Sequence, residues 1–137
     1  MVDKSDTTKI AGSGHYLYKG DAQKKYMLLK RDVGEQIILT SGVRSIVKQM
    51  HLFLAKLEKS NGNLSLASRS LAPPGHSFHG IGDFDVGRKG LGENNFTAEF
   101  AKTDEFKRLC ELDYVDIRYT KSNRFGVRYE PWHIKVV

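Results

Sequence analysis

The hydrophobic rhythm of this chain changes from helical to strand-like along its length, and that change limits the folds open to it. Val43, Ile46, Val47, Met50, Phe53, Leu54 and Leu57 recur at helical spacing, which predicts an amphipathic helix with that stripe packed in the core. Ahead of it, Ala22, Tyr26, Leu28 and Leu29 fit a shorter core-facing helix over Asp21–Val33, stopped by Gly34. The β-branched run Gln36–Thr40 suits a strand. Behind the long helix the period falls to two. Ile81–Val86 reads as a strand with Asp83 and Asp85 on one face and Phe84 and Val86 on the other. Thr103 is placed to cap a helix from Asp104 to about Leu112. Tyr114–Tyr119 and Gly126–Tyr129 read as a hairpin turning at Lys121-Ser122-Asn123-Arg124, and Trp132–Val137 as a final strand. Helices early, strands late and no regular βαβ alternation predict an α+β fold, with helices packed against a mainly antiparallel sheet.

A chain of 137 residues fits one domain. Residues 1–15 are polar and contain Ala11-Gly12-Ser13-Gly14, so a flexible lead-in is expected there and a single domain over 16–137. The lone Cys110 excludes an internal disulfide and reads as a buried helical thiol. The formal charge of +6 favours polyanionic surroundings. The basic residues are scattered and do not interleave with aromatic ones, so no nucleic-acid partner is expected. No apolar run is long enough to span a bilayer, and the N-terminus lacks the apolar core of a signal peptide. The loop carrying Gly87, Gly90 and Gly92 lacks the Gly-Lys-Ser/Thr ending of a phosphate loop.

Two short clusters hold the chemistry. Ser77-Phe78-His79-Gly80-Ile81-Gly82-Asp83-Phe84-Asp85 supplies a histidine and acids, and Glu130-Pro131-Trp132-His133 supplies a second histidine beside another carboxylate. Zinc accepts imidazole nitrogen and carboxylate oxygen, and a catalytic zinc keeps one position open. His79, Asp85 and His133 on neighbouring strands would provide three ligands. A tight bend at Pro131-Trp132 would let Glu130 face the attacking water as general base. Without a tight local motif, each histidine reads equally well as an ordinary surface or core residue.

Three separated segments change that balance. Ser41-Gly42-Val43-Arg44-Ser45 followed by Gln49, then Pro73-Pro74-Gly75-His76-Ser77-Phe78-His79-Gly80-Ile81-Gly82, then Glu130-Pro131-Trp132-His133 occur in the order of S-G-Y-R-S-x-x-x-Q, P-P-G-x-S-x-H-x-x-G and E-P-W-H. Over about residues 22–137 the chain resembles the zinc D-Ala-D-Ala carboxypeptidases of the vancomycin-resistance Y type. Their wider superfamily includes phage endolysin peptidases and hedgehog-like domains. The resemblance implies zinc on His79, Asp85 and His133, Glu130 as general base and then proton donor, and Arg44 stabilising the oxyanion. It implies that Ser77 and Gln49 hold the substrate backbone or its terminal carboxylate. One residue departs from the pattern: the family aspartate stands seven positions after the histidine, where this chain has Val86. Asp85 is favoured as the ligand, with Asp83 as its rival or as a hydrogen-bond partner of a ligand histidine. The implied activity is removal of a C-terminal D-alanine from peptidoglycan stem peptides by a monomer in the cell wall, periplasm or extracellular space. An L-alanyl-D-glutamate endopeptidase and a non-catalytic wall-binding module are the alternatives.

Overall fold

The computed structural model describes residues 6–43, 46–59, 82–122 and 127–136. The described elements run β1 (Thr7–Lys9), β2 (Tyr16–Tyr18), α1 (Asp21–Val33), β3 (Ile37–Ser41), α2 (Ile46–Lys59), β4 (Phe84–Arg88), two short 3-10 helices (Gly92–Phe96 and Ala98–Lys102), α3 (Asp104–Glu111), β5 (Asp116–Tyr119) and β6 (Glu130–Lys135). Strands β3, β4, β6 and β5, in that spatial order, form an antiparallel sheet, and β1 pairs with β2 as a separate hairpin. The architecture is α+β, as the change of hydrophobic period requires.

Helix α1 ends where Gly34, at φ 123°, returns its N–H to the Lys30 carbonyl at 3.0 Å. Its buried row is Ala22, Tyr26 and Leu29, which joins Ile37, Leu39, Phe84, Val86 and Ile134 in one core. Tyr26 meets Phe84 edge-on at 5.8 Å. Each side chain fully buried in this way contributes about 1.5–3 kcal/mol. Leu28, expected in the same row, is exposed instead: it is 100° around the helix from Leu29 and faces away from the sheet. Helix α3 begins where the Thr103 hydroxyl oxygen accepts the Phe106 N–H at 3.1 Å. Phe106 and Leu109 bury beside Phe100. Cys110 is exposed rather than buried, because the core row of this helix passes through its neighbour Leu109. In α2, Leu54 is 53% exposed, so the predicted stripe is not wholly core. The side chains of Ile46, Val47, Met50 and Phe53 lie outside the described residues.

Two other expectations give way. Within the predicted lead-in, Thr7–Lys9 pairs with Tyr16–Tyr18, and Leu17 enters the core. Strands of three residues are too short to show a periodicity, so only pairing reveals them. The predicted strand at 126–129 is not a strand at Val127–Tyr129, and β5 pairs instead with β6, which starts at Glu130. Between the pairs Ile117–Ile134 and Tyr119–Glu130, β5 advances two residues and β6 four. Pro131 lies inside this excess, where a residue without an N–H interrupts the ladder at little cost. The Glu130-Pro131-Trp132-His133 segment is therefore a bulged strand and not a tight bend.

The hairpin reaches the end of β3 through the Val43 N–H, which donates to the Tyr16 carbonyl at 2.9 Å. A Cβ at Gly42 would land on that same carbonyl oxygen, so the glycine is needed for close approach of two backbones. Gly42→Ala is expected to lower unfolding stability by about 1–3 kcal/mol in urea denaturation, the usual cost of overpacking. An unchanged midpoint would show that the hairpin is not seated there.

Candidate metal centre

Strands β4 and β6 are neighbours, and Asp85 lies directly opposite His133 across them. Directly paired residues share a face, so both project from the side opposite Phe84 and Ile134, the adjacent core pair. In a regular strand Glu130 and His133, three apart, would point to opposite faces. The ladder with β5 is irregular over this stretch, and Glu130 Oε1 lies 3.3 Å from His133 Nδ1. Asp85 Oδ1 lies 3.6 Å from that same nitrogen. The other ring nitrogen, Nε2, lies 2.9 Å from Asp83 Oδ2. Asp83, Asp85, Glu130 and His133 are all buried.

Asp83 and Asp85 thus share a face, as the period of two predicts, yet they address opposite edges of one imidazole. Asp83 is held by three further donors. Arg118 Nε donates to Oδ2 at 2.9 Å and Nη2 to Oδ1 at 3.1 Å, and the Val136 N–H donates to Oδ1 at 2.9 Å. Tyr119 packs edge-on against the His133 ring with centroids 4.8 Å apart. Arg128 stands 3.9 Å from Glu130 Oε2 and over the Trp132 ring. No local pattern of residues marks Arg118 or Tyr119 as part of the site. A basic residue in a short strand becomes informative only once the register puts it against a buried acid.

The donor set suits a zinc-type cation. A tetrahedral site with bonds of about 2.0–2.1 Å separates its ligand atoms by roughly 3.3 Å, and the Nδ1–Oδ1 separation of 3.6 Å is close to that edge. Of the expected site residues, the structure brings Asp85, Glu130 and His133 together. Arg44, Ser77 and His79 lie outside the described residues, as does the side chain of Gln49 on α2. Among the described residues no three His, Cys, Asp or Glu side chains are already set around a common point as a metal cage.

The charges in this cluster are strongly coupled. Burial alone would raise the Asp83 carboxyl, but hydrogen bonds from His133, Arg118 and the Val136 N–H outweigh it and hold it down at about 2. Burial likewise opposes a charged His133. Hydrogen bonds to Asp83 and Glu130, with the Asp85 carboxylate nearby, outweigh that and lift it to about 9. Burial and the surrounding Glu130 and Asp83 carboxylates raise the Tyr119 hydroxyl, which stays protonated.

Comparison with known proteins gives a family and a fold. The family model described as VanY, D-alanyl-D-alanine carboxypeptidase, matches residues 16–137. No curated protein matches the chain. Among solved structures, the LdcB LD-carboxypeptidase is 25% identical with a TM-score of 0.75, over 99% of this chain and 70% of that one. VanYB in complex with D-alanine-D-alanine is 22% identical with a TM-score of 0.67, over 96% of this chain and 76% of that one. DacB from Streptococcus pneumoniae D39 is 24% identical with a TM-score of 0.65, over 99% of this chain and 84% of that one. A VanY mutant from the VanB-type resistance cassette, in complex with Zn(II), is 21% identical with a TM-score of 0.66, over 96% of this chain and 78% of that one.

The raised His133 pKa has a direct consequence for metal-free protein. The stabilisation it represents is complete below the unfolded value of 6.5 and is lost as pH rises through about 9. Asp83 contributes in the opposite sense: its share is present above 3.8 and is lost as pH falls through about 2. Chelator-treated protein should therefore lose on the order of 3 kcal/mol between pH 6 and pH 9.5, read by urea denaturation. A flat profile across that window would contradict the His133 cluster.

Proposed function

We propose that this chain, which belongs to the VanY D-alanyl-D-alanine carboxypeptidase family, is a zinc metallopeptidase that trims a C-terminal D-alanine from peptidoglycan stem peptides. The observation that carries the reading is the division of labour around His133. Asp85 and Glu130 stand at Nδ1, while Asp83 takes Nε2. A neutral imidazole with its proton on Nε2 presents a lone pair at Nδ1, which is what a metal ligand must do. His133 Nδ1 and the Asp85 carboxylate are two of the proposed ligands, and His79 the third. The position of Asp85 beside Nδ1 favours it over Asp83, whose oxygens already serve Arg118, Val136 and His133. Zinc, when bound, supplies a Lewis acid that lowers the pKa of a water and polarises a carbonyl.

Glu130 is the proposed proton carrier. Its carboxylate is buried beside Nδ1, close enough to the ligand position to take a proton from the attacking water and return it to the leaving amine. Arg44 is proposed to steady the oxyanion with its fixed fork of donors. Ser77 and Gln49 are proposed to hold the peptide backbone or its terminal carboxylate. Family resemblance supports these three roles, and with them a monomer acting at the cell wall, in the periplasm or outside the cell.

A second reading is favoured by one observation. LdcB, whose fold covers 99% of this chain at 25% identity, is an LD-carboxypeptidase. A shared fold does not choose the bond, and the second reading is removal of the terminal D-alanine of a tetrapeptide stem. Mass spectrometry of defined penta- and tetrapeptide stems tests both. Loss of one alanine from the pentapeptide is expected. Loss from the tetrapeptide alone would establish the L,D reading, and a cut after L-alanine an endopeptidase. Glu130→Gln should slow turnover about 10²–10⁴-fold while zinc stays bound. A variant with full turnover would remove Glu130 from its role, and no cleavage of any stem would overturn the proposed function.

A further inference from the structure

Arg118 stands behind Asp83, which in turn reaches His133, and it is nearly as buried as the site itself. Its side chain is 9% exposed against 0% for its partner Asp83. A buried guanidinium–carboxylate pair is a costly way to stabilise a fold, since apolar side chains of similar size do as well or better. The geometry of this pair accounts for its presence differently. The fork of Arg118 engages both oxygens of Asp83, at 2.9 and 3.1 Å, and the Val136 N–H adds a third bond to Oδ1 at 2.9 Å. Oδ2 is then aimed at His133 Nε2, 2.9 Å away. The chain Arg118–Asp83–His133 crosses three adjacent strands, because Arg118 is on β5, His133 on β6 and Asp83 immediately precedes β4. Arg118 also sits between Ile117 and Tyr119, the two positions that bracket the register shift against β6.

We propose that Arg118 and Asp83 are positioning residues that set His133 in the Nε2–H form and so present Nδ1 to the metal. This inference rests on the proposed function for the identity of that metal. An acceptor fixed at Nε2 keeps a proton there, and a ring held at one edge cannot rotate to offer Nε2 in place of Nδ1. The fork is what makes Asp83 a fixed acceptor: lysine would neutralise its charge but would not hold both oxygens in one plane. Both edges of the ring are served beside the irregular stretch of the β5–β6 ladder: Glu130 lies at Nδ1, and Arg118 faces the acid that holds Nε2.

The test separates positioning from stability. Zinc affinity is measured by chelator competition for the wild type, Arg118→Met, Arg118→Lys and the double variant Asp83→Asn with Arg118→Met. The double variant removes the pair together and guards against a single variant that leaves a buried charge and fails to fold. NMR of His133 in chelator-treated protein gives a second readout that needs no metal: a hydrogen-bonded Nε2–H proton protected from exchange. The expectation is a zinc affinity about 10–100-fold weaker in Arg118→Met and in the double variant. Arg118→Lys should recover part of the loss. The protected Nε2–H signal should be present in the wild type and lost in the double variant. Wild-type zinc affinity in folded Arg118→Met and double variants, with the Nε2–H signal retained, would overturn the inference. If the wild type bound no zinc, the proposed function would fall, and the Nε2–H signal would still decide whether the pair orients the ring.

Discussion

The ladder between β5 and β6 breaks between the pairs Ile117–Ile134 and Tyr119–Glu130, and the site gathers at that break. A regular ladder would put Glu130 and His133 on opposite faces of the sheet. Pro131 makes the interruption tolerable, because it has no N–H to leave unpaired. The pairing on the other side of β6 stays regular, with Asp85 opposite His133 and Phe84 opposite Ile134. One strand is thus read in two ways. Its β4 side keeps core and site on separate faces, and its β5 side gathers a second carboxylate and an arginine around one imidazole.

The charge arrangement follows from that gathering. Three carboxylates, Asp83, Asp85 and Glu130, converge on His133 in a buried setting. Arg118 compensates one of them at close range. Arg128 approaches Glu130 only at 3.9 Å and with its side chain half in solvent. Removing one partner of a buried pair such as Arg118–Asp83 typically costs about 3–5 kcal/mol, because the other charge is left uncompensated. A fold under selection for stability alone gains little from such a cluster. Its remaining excess of negative charge, beside an imidazole nitrogen, is what a divalent cation would neutralise.

Much of the scaffold was legible in the residues. Helix α1 matches the predicted Asp21–Val33, the Thr103 cap starts α3, and the alternation of Phe84 and Val86 with Asp83 and Asp85 gives the two faces of the sheet. The misses share a physical cause. The β1–β2 hairpin, the bulge in β6 and the role of Arg118 all depend on which strands pair and in what register, which local periodicity does not encode. Leu28, Leu54 and Cys110 miss for a smaller reason: a helical stripe is wider in a pattern than the strip of surface it covers in a packed fold. The candidate site was marked by spaced motifs rather than by any compact signature, and of its residues the structure brings together Asp85, Glu130 and His133. The structure adds the separation of Asp83 from Asp85 around the ring, which spacing alone left open.

The most direct measurement is an anomalous-difference map, recorded at the zinc edge, from crystals of the protein grown with zinc. The account predicts a peak about 2.0–2.2 Å from His133 Nδ1 and an Asp85 oxygen, with Asp83 on the far edge of the ring still bonded to Arg118. A peak at Nε2 with Asp83 as its carboxylate, or one remote from His133, would contradict it.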